Sequence, residues 1–418
     1  MISRALEGYQ RANFQVAIDA YLKEEGRQAE LIGLPMMRGY RVGLAELVDD
    51  RMRGPWRSPE GDAGPIEYEP VEIGERQIVC VAAGLWLITA GAEGMLLMLR
   101  REDHGPGHAQ LGIEIMAQAR ASAERLLGEL DRLMTELNVY RGRILALSGS
   151  PFGGLGVEVR RLPPVRREQI VFPDGVLERI ERHTKTFAQH SEALRASGRH
   201  LKRGLLLHGP PGTGKTLTAM YLSHLMPDRT VLLLTGEALH AVGPACRMAR
   251  ELAPSMLVLE DVDLVAEDRE YGHSTSVLFE LLNEMDGLSE DTDVVFVLTT
   301  NRPEAIESAL ASRPGRVDLA VAMPLPDADG RRRLLDLYGQ GLQLDVRDLT
   351  RFVTATEGAT PAFIREVLRR AALQAAERKD QRISDELIST AINELHDADD
   401  QLTASLLGVR SQAPPVRP

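Results

Sequence analysis

The apolar positions of this chain follow two different rhythms, and the change between them comes near residue 200. Before it, helical and alternating patterns are mixed. Phe14, Ile18, Tyr21 and Leu22 recur at i, i+4, i+7 and i+8, one face of a helix, and Gly26 marks its end. From Met1 to Ile32 charged and apolar residues intermix as in an amphipathic helix, without the apolar core of a secretory leader. The Gly- and Pro-rich passage Arg53 to Pro70 predicts a loop. Ile78 to Leu99 is long and apolar, but Gly84, Thr89 and the run Gly91-Ala-Glu-Gly94 divide it into two strands and a turn rather than a membrane span. Ala117 to Leu137 predicts a helix whose stripe of Leu126, Leu127, Leu130, Leu133, Met134 and Leu137 packs a core. Strands near Arg143–Leu147 and Val157–Arg161 complete a small α+β unit, and Pro163-Pro164 closes it.

From Leu201 short apolar runs alternate with helical stretches. Gly204–Leu207, Thr230–Leu234, Met256–Leu259 and Val294–Leu298 suit buried parallel strands with helices on both faces. After Pro324 and Pro326 the pattern turns helical. Thr360 as N-cap and Pro361 at the first helical position open a helix carrying Phe363, Ile364, Val367, Leu368 and Ala371. The segment ending Ala-Pro-Pro-Val-Arg-Pro418 predicts a loose tail. The expected division is 1–163, an α+β domain; 164–326, an α/β domain; 327–398, a helical lid; and 399–418, a tail.

Composition changes this picture little. At 418 residues several domains are expected, and 44% hydrophobic residues suit a globular protein. A formal charge of −12 argues against a broad grip on nucleic acid. Cys80 and Cys246 match no metal or redox spacing, nor do the ten histidines, so buried thiols in a reducing, cytoplasmic compartment are expected.

The candidate chemistry lies at Gly209-Pro210-Pro211-Gly212-Thr213-Gly214-Lys215-Thr216, followed by Leu217. It fits G-x-x-x-x-G-K-[ST] between a strand and a helix, the setting of a phosphate-binding loop. The glycines let backbone amides approach phosphate oxygens, the helix start adds its positive end, Lys215 reaches the β and γ phosphates, and Thr216 offers a hydroxyl to Mg2+. ATP or GTP is the ligand class implied. A second carboxylate site on a neighbouring strand is supplied by Met256-Leu-Val-Leu-Glu260-Asp261-Val-Asp263.

The phosphate loop and acidic strand are followed by Leu281-Leu-Asn-Glu-Met-Asp-Gly-Leu288, Thr299-Thr-Asn-Arg-Pro303 and Ser312-Arg-Pro-Gly-Arg-Val-Asp318. In this order the five motifs resemble the AAA family, a branch of the AAA+ ATPases, over about Arg167 to Leu395. The resemblance implies an AAA+ P-loop core with a helical lid, ATP and Mg2+ as cofactors, and a ring that is typically hexameric. Asn301 matches the sensor that helps orient the attacking water, and Arg313 and Arg316 match arginines presented to a neighbour's nucleotide. Local ion pairing of those arginines, for example with Asp318, is the alternative.

The chain departs from the family pattern in three places. The acidic pair runs Glu260-Asp261, as in the mitochondrial subfamily that moves a folded iron–sulfur protein, so that Glu260 approaches Mg2+ and Asp261 polarises water with a shorter reach. At Ala241 threading members carry an aromatic residue, and the passage to Arg250 is shorter than usual. The lid helix begins Thr360-Pro-Ala-Phe-Ile364, with Ala362 at the position facing the phosphates. The leading expectation is an oligomeric ATPase that remodels a protein client recognised by residues 1–163. A nucleotide-dependent switch or scaffold is the alternative. A nucleic-acid-dependent ATPase, resting on Arg331-Arg-Arg333, is the weaker one.

Overall fold

The computed structural model describes residues 1–34, 43–48, 64–103, 109–149, 155–264, 275–286, 292–304, 306, 317–380 and 382–396. Its contacts group into two units, Met1–Arg161 with Leu232–Leu252, and Leu162–Val231 with Ala253–Pro418. The expected tail at 399–418 lies outside the described residues.

The first unit is built on an antiparallel sheet. Strands β1 (Ile2–Leu6), β2 (Arg27–Ile32), β4 (Arg76–Ala90), β5 (Glu93–Asp103) and β6 (Ala109–Ala117) lie in the order β1-β6-β5-β4-β2, and β3 (Glu67–Ile73) pairs with β4 alone. The turn at Gly91 joins β4 to β5 in the register Ala90↔Glu93, as the hairpin reading expects. Alternate residues Trp86, Ile88, Leu97, Leu99, Ile113 and Ile115 face one side of the sheet. Two helices cover them: α1 (Arg11–Leu22) with Phe14 and Ile18, and α2 (Arg120–Glu136) with Leu126, Leu130 and Leu133. Leu85 and Met98 pack with Leu44 in a separate cluster. Strands β7 (Ile144–Gly149) and β8 (Leu155–Arg160) form a further antiparallel pair.

Two local expectations need correction here. Of Met1–Ile32 only Arg11–Leu22 is the α-helix of the expected stretch; its flanks are strands. Both are edge strands, largely exposed and polar, so the alternation of a half-buried strand is not written in them. The loop expected through Pro70 gives way to β3 from Glu67 onward, where Pro70 is tolerated because β3, among the described residues, pairs on one side only. Residues 53–63 of that passage lie outside the described residues.

In the second unit β9 (Arg203–His208), β12 (Val294–Thr300), β11 (Ser255–Leu259) and β13 (Leu319–Ala322) run parallel in the order β13-β9-β12-β11. Every residue of β11 and β12 is buried, as strands covered on both faces must be. Strand β10 (Thr230–Leu234) is shared: Thr230 and Val231 belong to this unit, and the chain passes to the first unit from Leu232 through helix α5 (Val242–Glu251). Buried Arg229, before β10, donates twice to the Asp293 carboxylate, at 2.7 and 2.8 Å, and once to the Ser255 carbonyl at 3.2 Å. That ion pair ties the entrances of three strands.

The helical part of this unit packs α7 (Ala328–Gly339), α8 (Thr350–Ala355), α9 (Pro361–Glu377) and α10 (Asp385–His396) around Leu334, Phe352, Phe363, Ile364, Leu368 and Leu387. Upstream lie α3 (Val176–Glu181), α4 (Lys215–Leu225) and α6 (Thr275–Asp286). Cys80 and Cys246 are both buried and neither is in a disulfide. Among the described residues no helix is long and apolar enough to cross a membrane, and no cluster of His, Cys, Asp and Glu could by itself hold a metal ion.

Candidate functional site

Strand β9 ends at His208 and delivers the chain into a tight loop. The Gly209 N–H donates to the Thr300 carbonyl, 3.3 Å away at the end of β12. A Cβ on Gly209 would stand 2.5 Å from the Met323 carbonyl oxygen, so no larger residue fits there without displacing backbone. Gly214, at φ +94°, caps α4 in a left-handed conformation that a side chain would strain. Thr213 braces the loop by donating its hydroxyl to the Pro210 carbonyl at 2.8 Å. The first amides of α4 are thereby left without helical acceptors, beside the positive end of its dipole.

Lys215 is buried in this loop, its ammonium donating to the Gly209 and Pro210 carbonyls at 2.9 and 2.8 Å. Burial pushes its pKa down, and the carboxylates of Asp261 and Asp263 oppose that shift. Thr216, the next residue, hydrogen-bonds the Glu260 side chain. Glu260 is half-buried, which raises its pKa; the Thr216 bond lowers it and neighbouring Asp261 raises it again.

The acids come from the end of β11, and β12 lies between β11 and β9 in the sheet. Asn301, just past β12, therefore stands between loop and acids. Its side-chain amide donates to Asp261 Oδ1 at 3.0 Å. Asp261 adopts φ +52°, a left-handed turn that Asp tolerates better than most residues, and its N–H donates to Thr299 Oγ1 at 3.0 Å. Asp263 is buried and accepts from the Thr300 hydroxyl at 2.8 Å and the Asn301 N–H at 3.2 Å. The ends of the two strands are thus cross-bonded, and the Asn301–Asp261 pair is held from both sides.

These groups open on a cavity of about 590 Å3. Pro211, Gly212, Thr213, Gly214, Lys215, Thr216, Leu217, Asp261, Asn301 and Ala362 line it. Gly209, Pro210 and Glu260 are not on the wall; the first two accept from Lys215, and Glu260 bonds Thr216. Ala362 opens α9 and donates its N–H to the Gly212 carbonyl at 3.3 Å, closing the helical lid against the loop. Thr360 caps that helix, accepting from the Phe363 N–H at 3.2 Å. Arg313 and Arg316 lie outside the described residues; Asp318, the suggested local partner, accepts the Gly204 N–H at 2.8 Å.

The cavity also has walls that the motifs do not mark. Gln169, Ile170, Val171 and Phe172 line one side with Leu334 and Tyr338, and Arg365 stands one helical turn beyond Ala362. A signal for both was present: Ile170-Val-Phe172 is a short apolar run stranded between prolines, and Arg365 shares the i, i+3 face of Ala362.

The residues present fit a magnesium-bound nucleoside triphosphate. The volume is that of a small-molecule site. The Thr216 hydroxyl and the Glu260 carboxylate meet as a pair of hard oxygen donors. Lys215 provides a buried cation within reach of the wall, and the glycine cradle leaves room for oxygens against backbone amides.

Comparison with known proteins agrees with this geometry. Residues 205–325 match the family described as ATPase family associated with various cellular activities (AAA). The proteasome-activating nucleotidase of Methanosphaerula palustris is 31% identical over 227 residues, 51% of this chain and 55% of the relative. That of Thermococcus onnurineus is 29% identical over 266 residues, 60% of this chain and 67% of the relative. The ATP-dependent zinc metalloprotease FtsH 4 of Sphaerobacter thermophilus is 31% identical over 270 residues, 60% and 41% respectively. The chain spans about half the length of the first of these relatives, and residues 205–325 form an AAA ATPase domain.

Proposed function

We propose that the AAA ATPase domain of this chain binds ATP with Mg2+, hydrolyses it, and uses the cycle to remodel a protein client. The observation that carries the reading is the Asn301–Asp261 hydrogen bond of 3.0 Å on the wall shared with Lys215 and Thr216. An acid and an amide fixed to one another beside a phosphate cradle can hold a water and take its proton as it attacks the terminal phosphoryl group. Lys215 exchanges its carbonyl partners for phosphate oxygens, and the amides of 212–216 take others. Thr216 and Glu260 would hold Mg2+, which neutralises charge between the phosphates. Asp261 reaches less far than a glutamate, so the water stands closer to β11 than a longer acid would place it. Arg313 and Arg316 stabilise charge at a neighbour's site, which makes the working form a ring, a hexamer by resemblance.

Residues 1–163 recognise the client in this reading. The similarity to proteasome-activating nucleotidases and FtsH supports work on polypeptides. One observation favours a second reading, a nucleotide-dependent switch or scaffold. Ala241 is 8% exposed and leads directly into α5, so this position offers neither an aromatic side chain nor an open surface to grip a threaded chain. Steady-state turnover separates the two. The remodelling reading expects hydrolysis that is lost in Asp261→Asn and stimulated by a protein partner trapped on the ATP-bound variant of the full chain. Tight ATP binding without turnover would leave only the switch.

A further inference from the structure

The second unit holds another concentration of positive charge at the opposite end of β9 from the phosphate loop, about 16 Å away along the strand. Arg179 and Arg182 stand one turn apart on α3 and the π-helical turn that continues it through Thr186. The acids of the same stretch point elsewhere. Glu178 and Glu181 are held by Arg167 at 2.6 and 3.0 Å, and Glu181 also takes the Tyr221 hydroxyl. The helix thus sorts its charges, acids toward Arg167 and arginines toward a cavity of about 310 Å3 completed by His183, Phe187, Arg203 and Leu319.

Among the described residues no carboxylate lines that cavity. The Arg203 guanidinium lies over the Phe187 ring at 4.1 Å, which fixes its plane. Its acid, Asp318, is 3.7 Å away and already accepts the Gly204 N–H. Two buried nitrogens on the wall, Arg203 Nε and His183 Nε2, have no hydrogen-bond partner. A buried nitrogen without a partner in a recess lined by arginines is open to an acceptor. Burial holds the His183 pKa down, Asp318 raises it, Arg203 lowers it, and a backbone bond with Gly204 raises it.

We propose that this recess is a second anion site, and that it takes a small tetrahedral oxyanion, inorganic phosphate being the representative. Three guanidinium groups line the recess, of which only Arg203 has an acid nearby, in Asp318; their planar forks match phosphate oxygens, and the unpartnered Arg203 Nε–H gains an acceptor on occupancy. The proposal is independent of the reading of the nucleotide cavity.

The test uses the full chain carrying Lys215→Ala, so that the phosphate loop is disabled, titrated calorimetrically with inorganic phosphate against chloride at constant ionic strength. Saturable one-to-one binding is expected, weakened about tenfold by Arg179→Gln or Arg182→Gln, both exposed positions, and lost in the double variant. In the otherwise unaltered chain, with Lys215 in place, Arg179→Gln and Arg182→Gln should bind ATP as the parent does and melt at the unaltered temperature without phosphate. Absence of saturable binding, or equal affinity in the double variant, overturns the proposal. If the Lys215 variant retains phosphate binding that only ATP displaces, the anion sits in the loop and the proposal likewise falls.

Discussion

Lys215 and Glu260 are both ionisable, both withdrawn from water, and shifted in opposite senses by that withdrawal, Lys215 down and Glu260 up. Each therefore carries a destabilising charge at neutral pH that a ligand of opposite sign relieves. Lys215→Ala should weaken ATP binding on the order of 100-fold, read from displacement of a fluorescent nucleotide, because a charge-assisted contact is lost in a buried setting. For Glu260 the sign follows from linkage. Its folded pKa is raised, so the native state holds the proton longer than the unfolded chain does. Its contribution is full below the unfolded value and is lost as pH rises through the folded value. Glu260→Gln should then melt higher than the parent at neutral pH without Mg2+, and the advantage should vanish under acid conditions. The same variant should lose the tightening of ATP binding by Mg2+. Asp261→Asn retains a residue that tolerates φ +52°, so turnover should fall about 100-fold or more while ATP affinity holds. Asp261→Ala adds backbone strain to the chemical loss and should also lower the melting temperature.

Elements differ in how plainly the sequence announces them, for physical reasons. β11 and β12 are buried at every position, and their short runs of Met, Leu, Val and Phe, too brief for a helix and bounded by turn residues, read as buried strands. The α9 cap is legible in Thr360-Pro361 because N-cap chemistry is local. β1 and β2 are silent because they are sheet edges, where exposed polar side chains carry no period. The candidate site follows the same rule. Its loop, its acids and Asn301 are written in contiguous motifs, whereas Phe172 and Tyr338 reach the cavity from segments far apart in sequence and only folding unites them. Two element-level costs can be measured by urea unfolding. Thr360→Ala should cost about 1 kcal/mol and loosen the lid helix that contacts Gly212. Arg229→Ala should cost about 3 to 5 kcal/mol, since it leaves the Asp293 carboxylate buried and alone; replacing both by apolar residues should cost far less.

At the scale of the whole molecule the expected property is a site shared between copies. Arg316→Ala should leave ATP binding within about twofold and depress turnover by a factor on the order of 1000, the size found for arginines supplied in trans. Mixing it with Asp261→Asn subunits should restore part of the activity, because each variant supplies what the other lacks. Mass spectrometry would first verify that the subunits mix. If mixed assemblies stay inactive, the shared site is excluded.

Strand β10 changes allegiance between Val231 and Leu232, and the chain returns only at Ala253. The gene therefore does not encode its two units as consecutive, detachable pieces. Cutting after Arg161 would leave the first unit without α5 and without the Glu251 carbonyl that receives the Arg141 guanidinium at 3.4 Å. It would leave the second unit with a twenty-one-residue excursion that has lost its host. Fragment 1–161 should accordingly bind hydrophobic dyes and resist crystallisation. Under the proposed function, a transplant of client preference between relatives would require two separated stretches of sequence, 1–161 and 232–252, to travel together.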